Sequence, residues 1–471
     1  MKKKYSSLIR NIGLFTIGSF GSKIVSFLLV PIYTAVLSTS DYGTVDLVSS
    51  TVSLLTPVFL LSIQDATLRF SMDGDFKKED VLSTTFNVIW KGSLILFICV
   101  VIVERLGIFN LSLTYYAFFY FLFVVGAINN CLTLYLKAKN KASIIAVSGI
   151  ICTLVTCASN ILLLVVFKLG IDGYMISNSI GIGVQCLFQL FVGRTYKEIH
   201  IKKFNNLYKP MIKYSIPLIA NSEAWWVNNA SDRYILTWLS GVAENGIYSV
   251  AYKIPTILTT FQSIFYNAWS ISAISEFDKD DNDGFIGNNY TIYGFLSIIV
   301  CSAILIINIP LAKILYSGDY FTAWKSVPFL LVGTAFNGIA QFEGSLFAAV
   351  KKTKEVLTTT LAGAIVNTIL NLILINFWGA PGAAFATMTG YGIMWALRTY
   401  YLNSFIHMKV EWKRHTIAII LLISQAILAT ANAGFVLQIV FFVLIIFIHR
   451  KYIQTMIRKF KRMSHLTGRE K

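Results

Sequence analysis

Apolar residues in this chain do not alternate with polar ones over the short periods of a soluble helix or strand. They gather into long runs separated by short polar or basic segments. A bilayer core takes about 20 such residues per helix. By that measure the pattern predicts fourteen spanning helices, over 11–34, 45–64, 82–103, 115–136, 142–167, 174–193, 211–236, 246–269, 288–309, 326–349, 355–377, 380–402, 415–431 and 433–449. The connecting segments LSTSDYGT (37–44), GIDG (170–173), FWGAPG (377–382) and TANAG (430–434) are too short to fold into a catalytic domain. The expected work is therefore done inside the membrane, and not by an enzyme.

Polar positions inside the runs fall on faces. At 100° per residue, span eight collects Ser249, Lys253, Thr256, Thr260, Ser263 and Asn267 into one stripe. Span one aligns Thr16, Ser19, Lys23 and Ser26, and span two aligns Asp46, Ser49, Ser53 and Thr56. Span seven aligns Asn221, Trp225, Asn228 and Asp232, with Arg233 near its outer end. Four wet faces on these helices predict a central aqueous cavity, although isolated Ser and Thr also serve helix packing. Span fourteen, FVLQIVFFVLIIF, is almost wholly apolar and should meet lipid or an acyl tail.

A repeat organises the first twelve spans. LSTSDYG (37–43) stands between spans one and two, and LSGVAENG (239–246) between spans seven and eight. NILLLVVFKLGIDG (160–173) likewise corresponds to NLILINFWGAPG (371–382). Two parallel six-helix repeats about an axis normal to the membrane follow. The expected fold is an all-α integral membrane protein with two pseudo-symmetric lobes, 1–193 and 194–404, around the cavity. Two further helices occupy 405–449, and a basic tail runs over 450–471.

Composition agrees with the class: 56% of the 471 residues are hydrophobic and 13% charged, too apolar for a soluble core with a wet surface. Of the 40 lysines and arginines, 32 fall in the two termini and in alternate loops, around 69–78, 137–141, 194–213, 279, 351–354 and 398–414. The positive-inside rule then places both ends in the cytoplasm. The net charge of +17 is mostly this topology signal, with attraction to anionic lipid heads, and not a nucleic-acid surface. MKKKYSSLIR precedes a run too long for a signal peptide and reads as the start of a retained first helix. The acidic run SEFDKDDNDG (275–284) reads as a solvated cytoplasmic loop. Six cysteines inside apolar runs and five histidines in basic loops or at helix ends offer neither disulfides, metal ligands nor a mid-membrane proton relay. No cofactor is expected.

Lys23 lies ~20 Å from the cytoplasmic end of its span, too deep for easy snorkelling. Lys91 is nearer the surface and should snorkel. A charge at mid-span costs about 2.5–3.5 kcal/mol and usually faces the bundle interior or an aqueous path. Glu223, Asp232 and Glu343 are acids at comparable depth, so Lys23 and Lys253 fit either structural ion pairs or an anionic ligand in the cavity. Trp225, Trp226, Tyr33 and Tyr248 could stack on sugar faces or pack as bulk.

LSTSDYGTVDL (37–47), IQDATLRF (63–70), NNASDRYILTWLSGVAENGIYSVAYKIP (228–255), AAVKKTKE (348–355) and GAPGAAFAT (379–387) together resemble the polysaccharide flippases. These are the O-antigen (Wzx-type) branch of the multidrug/oligosaccharidyl-lipid/polysaccharide exporter superfamily. The likeness covers nearly the whole chain. It implies a MATE-like fold with a cationic cavity lined by helices one, two, seven and eight, and a cationic role for Lys23 and Lys253. The implied substrate is an undecaprenyl-diphosphate-linked oligosaccharide, moved from the cytoplasmic to the outer leaflet of a bacterial inner membrane for O-antigen and lipopolysaccharide assembly. Polysaccharide polymerase and chain-length machinery would be downstream partners. GVAENG and GIDGYMIS depart from the family pattern. The alternative is a multidrug exporter of the same fold moving organic cations by ion antiport, which calls for an acidic cavity. No GxxxxGK[ST] motif is present, so transport would draw on an ion gradient, the membrane potential or removal of product.

Overall fold

The computed structural model describes residues 27–450, apart from Gly74, Asn110, 201–204, 276–277, Asp283 and Lys351. Lys23 and its companions Thr16, Ser19 and Ser26 lie outside the described residues, as does the tail beyond Arg450. Every regular element among the described residues is helical. Each apolar run expected from 45–64 onward is met by helix, with ends shifted by a few residues. Helices satisfy their own backbone groups, which hydrocarbon demands.

By length and composition, six described helices qualify as membrane spans: Lys78–Arg105, Leu113–Ala138, Ala142–Val166, Phe285–Ile306, Lys354–Trp378 and Trp412–Thr430. A seventh qualifies if Thr39–Phe59 and Ile63–Met72, bent by 59°, count as one. Phe435–Ile448 is helical and apolar but only 14 residues long. Lys78–Arg105 illustrates the lipid-facing pattern, with Val88, Ile89 and Leu96 buried while Leu94, Ile95, Ile98 and Ile102 are exposed. Phe435–Ile448 buries only Gln438 and Ile445, as a lipid-facing last helix should.

The chain divides into two compact units, Met1–Ser249 with Leu315–Tyr320, and Val250–Ile314 with Phe321–Lys471. The first is built around Leu60, Ile63, Phe123, Leu132 and Tyr135. Its helix Thr39–Phe59 starts at Ser38, whose hydroxyl accepts from the Asp41 amide at 3.1 Å, a standard N-cap. Gly43 in that helix packs against the Val242 carbonyl, and Gly246 against the Thr39 carbonyl, leaving no room for a Cβ at either. These are the closing glycines of the two repeated motifs, so the repeat meets itself back to back. Asn245 tightens the contact by donating to the Gly43 carbonyl at 3.1 Å.

The second unit centres on Val327–Ala349. Phe342 from this helix stacks on Trp269 at 4.1 Å between ring centroids, and Tyr290, Tyr293 and Phe347 close the core.

Several expectations change. Span eight is not one continuous helix: Val242–Ala251 stops, and Pro255–Ser275 begins after a turn holding Lys253. Pro255 has no amide hydrogen to donate and pushes the preceding residue out of helical geometry. Arg398, counted above with a basic loop, sits inside Ala380–Leu402 and is 1% exposed. The acidic loop is not merely solvated. Asp281 is buried and accepts the backbone amides of Ile286, Gly287 and Lys409 at 2.9–3.1 Å, pinning the 405–409 connection. Asp278 is half-buried in the same loop; the amides of Asn282 and Asp280 hold its carboxyl below the ordinary range.

Candidate functional site

Helix Asn205–Ser240 carries the span-seven stripe, and along it exposure changes. Asn221 is exposed, Trp225 is half-buried, and Asn228 and Asp232 are each 1% exposed. About three turns separate the open and sealed ends. At the sealed end Tyr248, itself fully buried, donates to the Asp232 carboxylate at 2.5 Å. The other oxygen of Asp232 accepts the Arg233 amide at 2.9 Å.

The Arg233 side chain turns to the Thr39–Phe59 helix. Its Nε lies 3.1 Å from Asp46 Oδ2, with both side chains about one-fifth exposed, a close charge pair whose angle falls short of a hydrogen bond. Its Nη1 donates to Ser50 Oγ at 3.2 Å. Asp46 and Ser50 are one turn apart, so they share a face toward the arginine. Alongside, Trp226 donates to the Ser50 carbonyl at 2.9 Å, and the Thr51 and Tyr234 hydroxyls lie 2.6 Å apart. The same helix thus offers polar groups to water at one end and spends them on a closed network at the other.

A tyrosine cluster adjoins this network. Tyr33 meets Tyr174 edge-on at 4.9 Å, Tyr42 lies 5.9 Å from Tyr174, and Tyr320 meets Tyr42 edge-on at 6.2 Å. Segment Leu315–Tyr320 supplies Tyr320, whose hydroxyl donates to the Ser38 carbonyl at 2.8 Å. Thr34 donates to the Leu315 carbonyl at 2.9 Å and accepts the Ser317 amide at 3.2 Å. The aromatics Tyr33, Trp226 and Tyr248 are therefore occupied with packing and hydrogen bonds in this conformation.

In the second unit, Lys253 is half-buried at the helix break, Thr256 is exposed and Thr260 is 5% exposed. Thr256 and Thr260 return their hydroxyls to the carbonyls of Lys253 and Thr256, at 2.5 and 2.6 Å. Leu258 is fully buried. The stripe is open to water only in part: Thr256 is exposed, whereas Ser249, at 4%, and Thr260 are buried. Asn267 has no described side chain.

Two polar clusters escaped the sequence reading. Glu198 receives Lys139 at 2.6 Å and the Tyr135 hydroxyl at 2.6 Å. Burial alone would raise its carboxyl, but these partners outweigh burial and hold it below the usual range. Deeper in the second unit, Glu343 accepts from Thr399 at 2.6 Å and Tyr290 at 3.1 Å. Arg398 donates to the Ala340 carbonyl at 2.6 Å and to Thr360 and Thr359 at 2.8 and 3.2 Å. Lys91 does not simply reach for water: its ammonium lies 5.3 Å from the Tyr208 ring centroid.

The described residues form an all-helical fold with helices long and apolar enough to cross a membrane. The structure aligns with a lipid II flippase MurJ in an inward closed conformation at a TM-score of 0.70, with 16% identity over 93% of this chain and 99% of that one. It aligns with an inward-facing MATE multidrug transporter at 0.60, with 11% identity over 81% and 94%. The chain belongs to the polysaccharide biosynthesis protein family, whose sequence model matches residues 8–270. It is also similar to the probable low-salt glycan biosynthesis flippase Agl15 of Haloferax volcanii, 25% identical over 225 residues, 44% of this chain and 46% of that protein. The chain spans about half the length of the curated relatives it matches.

Proposed function

We propose that this chain moves a polyprenyl-diphosphate-linked oligosaccharide from the cytoplasmic to the outer leaflet by alternating access. The proposed carrier is undecaprenyl diphosphate in a bacterial cytoplasmic membrane, and the product feeds surface polysaccharide assembly, of O-antigen type in a lipopolysaccharide-bearing cell. In this reading the fourteen spans form lobes 1–193 and 194–404, with 405–449 alongside and both termini in the cytoplasm. Polymerase and chain-length machinery take the product onward.

The observation that carries the reading is the graded face of helix 205–240. Asn221 is exposed, whereas Asn228 and Asp232 are sealed under Tyr248 and beside the Asp46–Arg233 pair. A cavity open at one end and closed at the other is what alternating access requires of one state. The family match and the likeness to glycan-lipid flippases support the substrate class. A diphosphate carries about two negative charges, which hydrocarbon resists and ammonium groups in a wet cavity offset. Lys23 and Lys253 fill that role, with Trp225, Asn228, Thr256 and Thr260 along the path. Opening of the Asp46–Arg233 and Asp232–Tyr248 contacts frees the outer exit. The polyprenyl tail stays in lipid, passing by the last two helices.

The test is glycan export per unit of membrane protein in cells whose own copy is deleted. Wild type and Lys23→Arg should restore export, because Arg keeps the charge and binds phosphate well. Lys23→Glu should insert normally and lose at least about tenfold of it, an effect of about 1.4 kcal/mol. Normal export by a well-expressed Lys23→Glu variant would remove Lys23 from the mechanism, and failure of wild type to restore export would remove the function.

A further inference from the structure

The signature IQDATLRF is left unused by the path above, and it stands at a backbone irregularity. Leu61 and Ser62 adopt left-handed conformations, at φ of 51° and 49°, and neither is glycine. Each such residue costs about 1–3 kcal/mol and persists only where its surroundings impose it. Here Pro57 leaves the helix end without one amide, Ser62 donates back to the Pro57 carbonyl at 2.9 Å, and Gly92 presses on the Phe59 carbonyl where no side chain would fit. The chain turns by 59° and restarts as Ile63–Met72.

The turn gives that short helix a new neighbour. Asp65 and Arg69, one turn apart, line a crevice of ≈ 390 Å³ with Tyr214, Asn221 and Ser222 of helix 205–240, over the side chain of Leu68. That volume falls within the range of small-molecule sites, about 300–1,000 Å³. Asp65 is exposed, and the Arg69 side chain is 62% exposed, with its ion partner Asp73 at 4.0 Å, the edge of pairing range. The acid and the base in the crevice are therefore not spent on each other. A carboxylate at the wall disfavours phosphate. The combination of carboxylate, guanidinium, amide and hydroxyl suits vicinal sugar hydroxyls, which both donate and accept. Tyr214, 42% exposed, adds an aromatic ring of the kind that packs on pyranose C–H faces.

We infer that this crevice is the subsite that receives the sugar moiety of the lipid-linked glycan, separate from the groups that hold its diphosphate. The inference rests on the flippase reading above. Asp65 and Ser222 accept and donate sugar hydroxyl bonds, and the 59° bend holds Asp65 in place.

The test uses the purified full-length chain and two probes: sugar-free undecaprenyl diphosphate, and the lipid-linked oligosaccharide extracted from the source cells. Asp65→Asn and Ser222→Ala should each weaken binding of the glycan-bearing lipid by about tenfold, the loss of one charged or well-placed hydrogen bond. Both variants should bind the sugar-free lipid within about twofold of wild type, which also reports that they are folded. Equal weakening of both probes, or no weakening of the glycan-bearing one, would overturn the sugar subsite while leaving the flippase reading standing. If wild type binds neither probe, that reading fails and the subsite falls with it.

Discussion

Arg233 and Asp46 are 187 positions apart in sequence and 3.1 Å apart in space. Because both are mostly shielded from water, removing one leaves the other poorly compensated, with Ser50 losing its donor as well. Arg233→Gln should lower the melting temperature of the detergent-purified protein, by a stability loss of about 1–3 kcal/mol. Asp46→Asn combined with Arg233→Gln should recover a measurable part of it; strict additivity of the two losses would show that the pair does not couple. Sequence periodicity was enough to put Asp46 and Asp232 on polar faces and Arg233 at the outer end of its helix. It could not pair them, because helical spacing says nothing about which distant face comes near. Arg398 shows the complementary failure. Its position near the end of an apolar run looks like a loop charge, yet the helix continues four residues beyond it and four acceptors, the Ala340 and Val356 carbonyls and the Thr359 and Thr360 hydroxyls, take up its guanidinium.

At the scale of elements, long apolar runs read correctly as helices because a bilayer leaves few alternatives for so many hydrophobic residues in sequence. Interruptions were harder. Pro255 ends one helix and opens another, whereas Pro210 and Pro217 both sit within Asn205–Ser240 without dividing it. Proline therefore marks a candidate break, and the neighbouring packing decides. The bend after Phe59 depends on two left-handed residues, Leu61 and Ser62, whose types give no warning. Beyond the Pro255 break the polar face keeps one exposed position, Thr256, which leads to a direct comparison. A cysteine at Thr256 should react with a small water-soluble thiol reagent at least about tenfold faster than one at Leu258, because burial hides the second from water. Equal rates would mean that this helix lines no aqueous path.

At the scale of the whole molecule, the two loop motifs of the expected repeat proved to be packing partners. They close on glycines, Gly43 and Gly246, and both glycines lie in the same tight helix crossing. The segment Leu315–Tyr320 was not legible, since only the folded chain reveals that it packs in the first unit through Thr34, Ser38 and Tyr42. The account's central claim is movement of a glycan-bearing lipid across the membrane, and reconstituted transport tests it most directly. Purified protein in sealed vesicles, with the lipid-linked oligosaccharide in both leaflets, should bring inner-leaflet substrate to an outside glycosidase far faster than protein-free vesicles do. The same vesicles should not move ethidium. Glycan exposure no faster than in empty vesicles, with ethidium carried along an imposed ion gradient, would contradict the account and favour a multidrug exporter of the same fold.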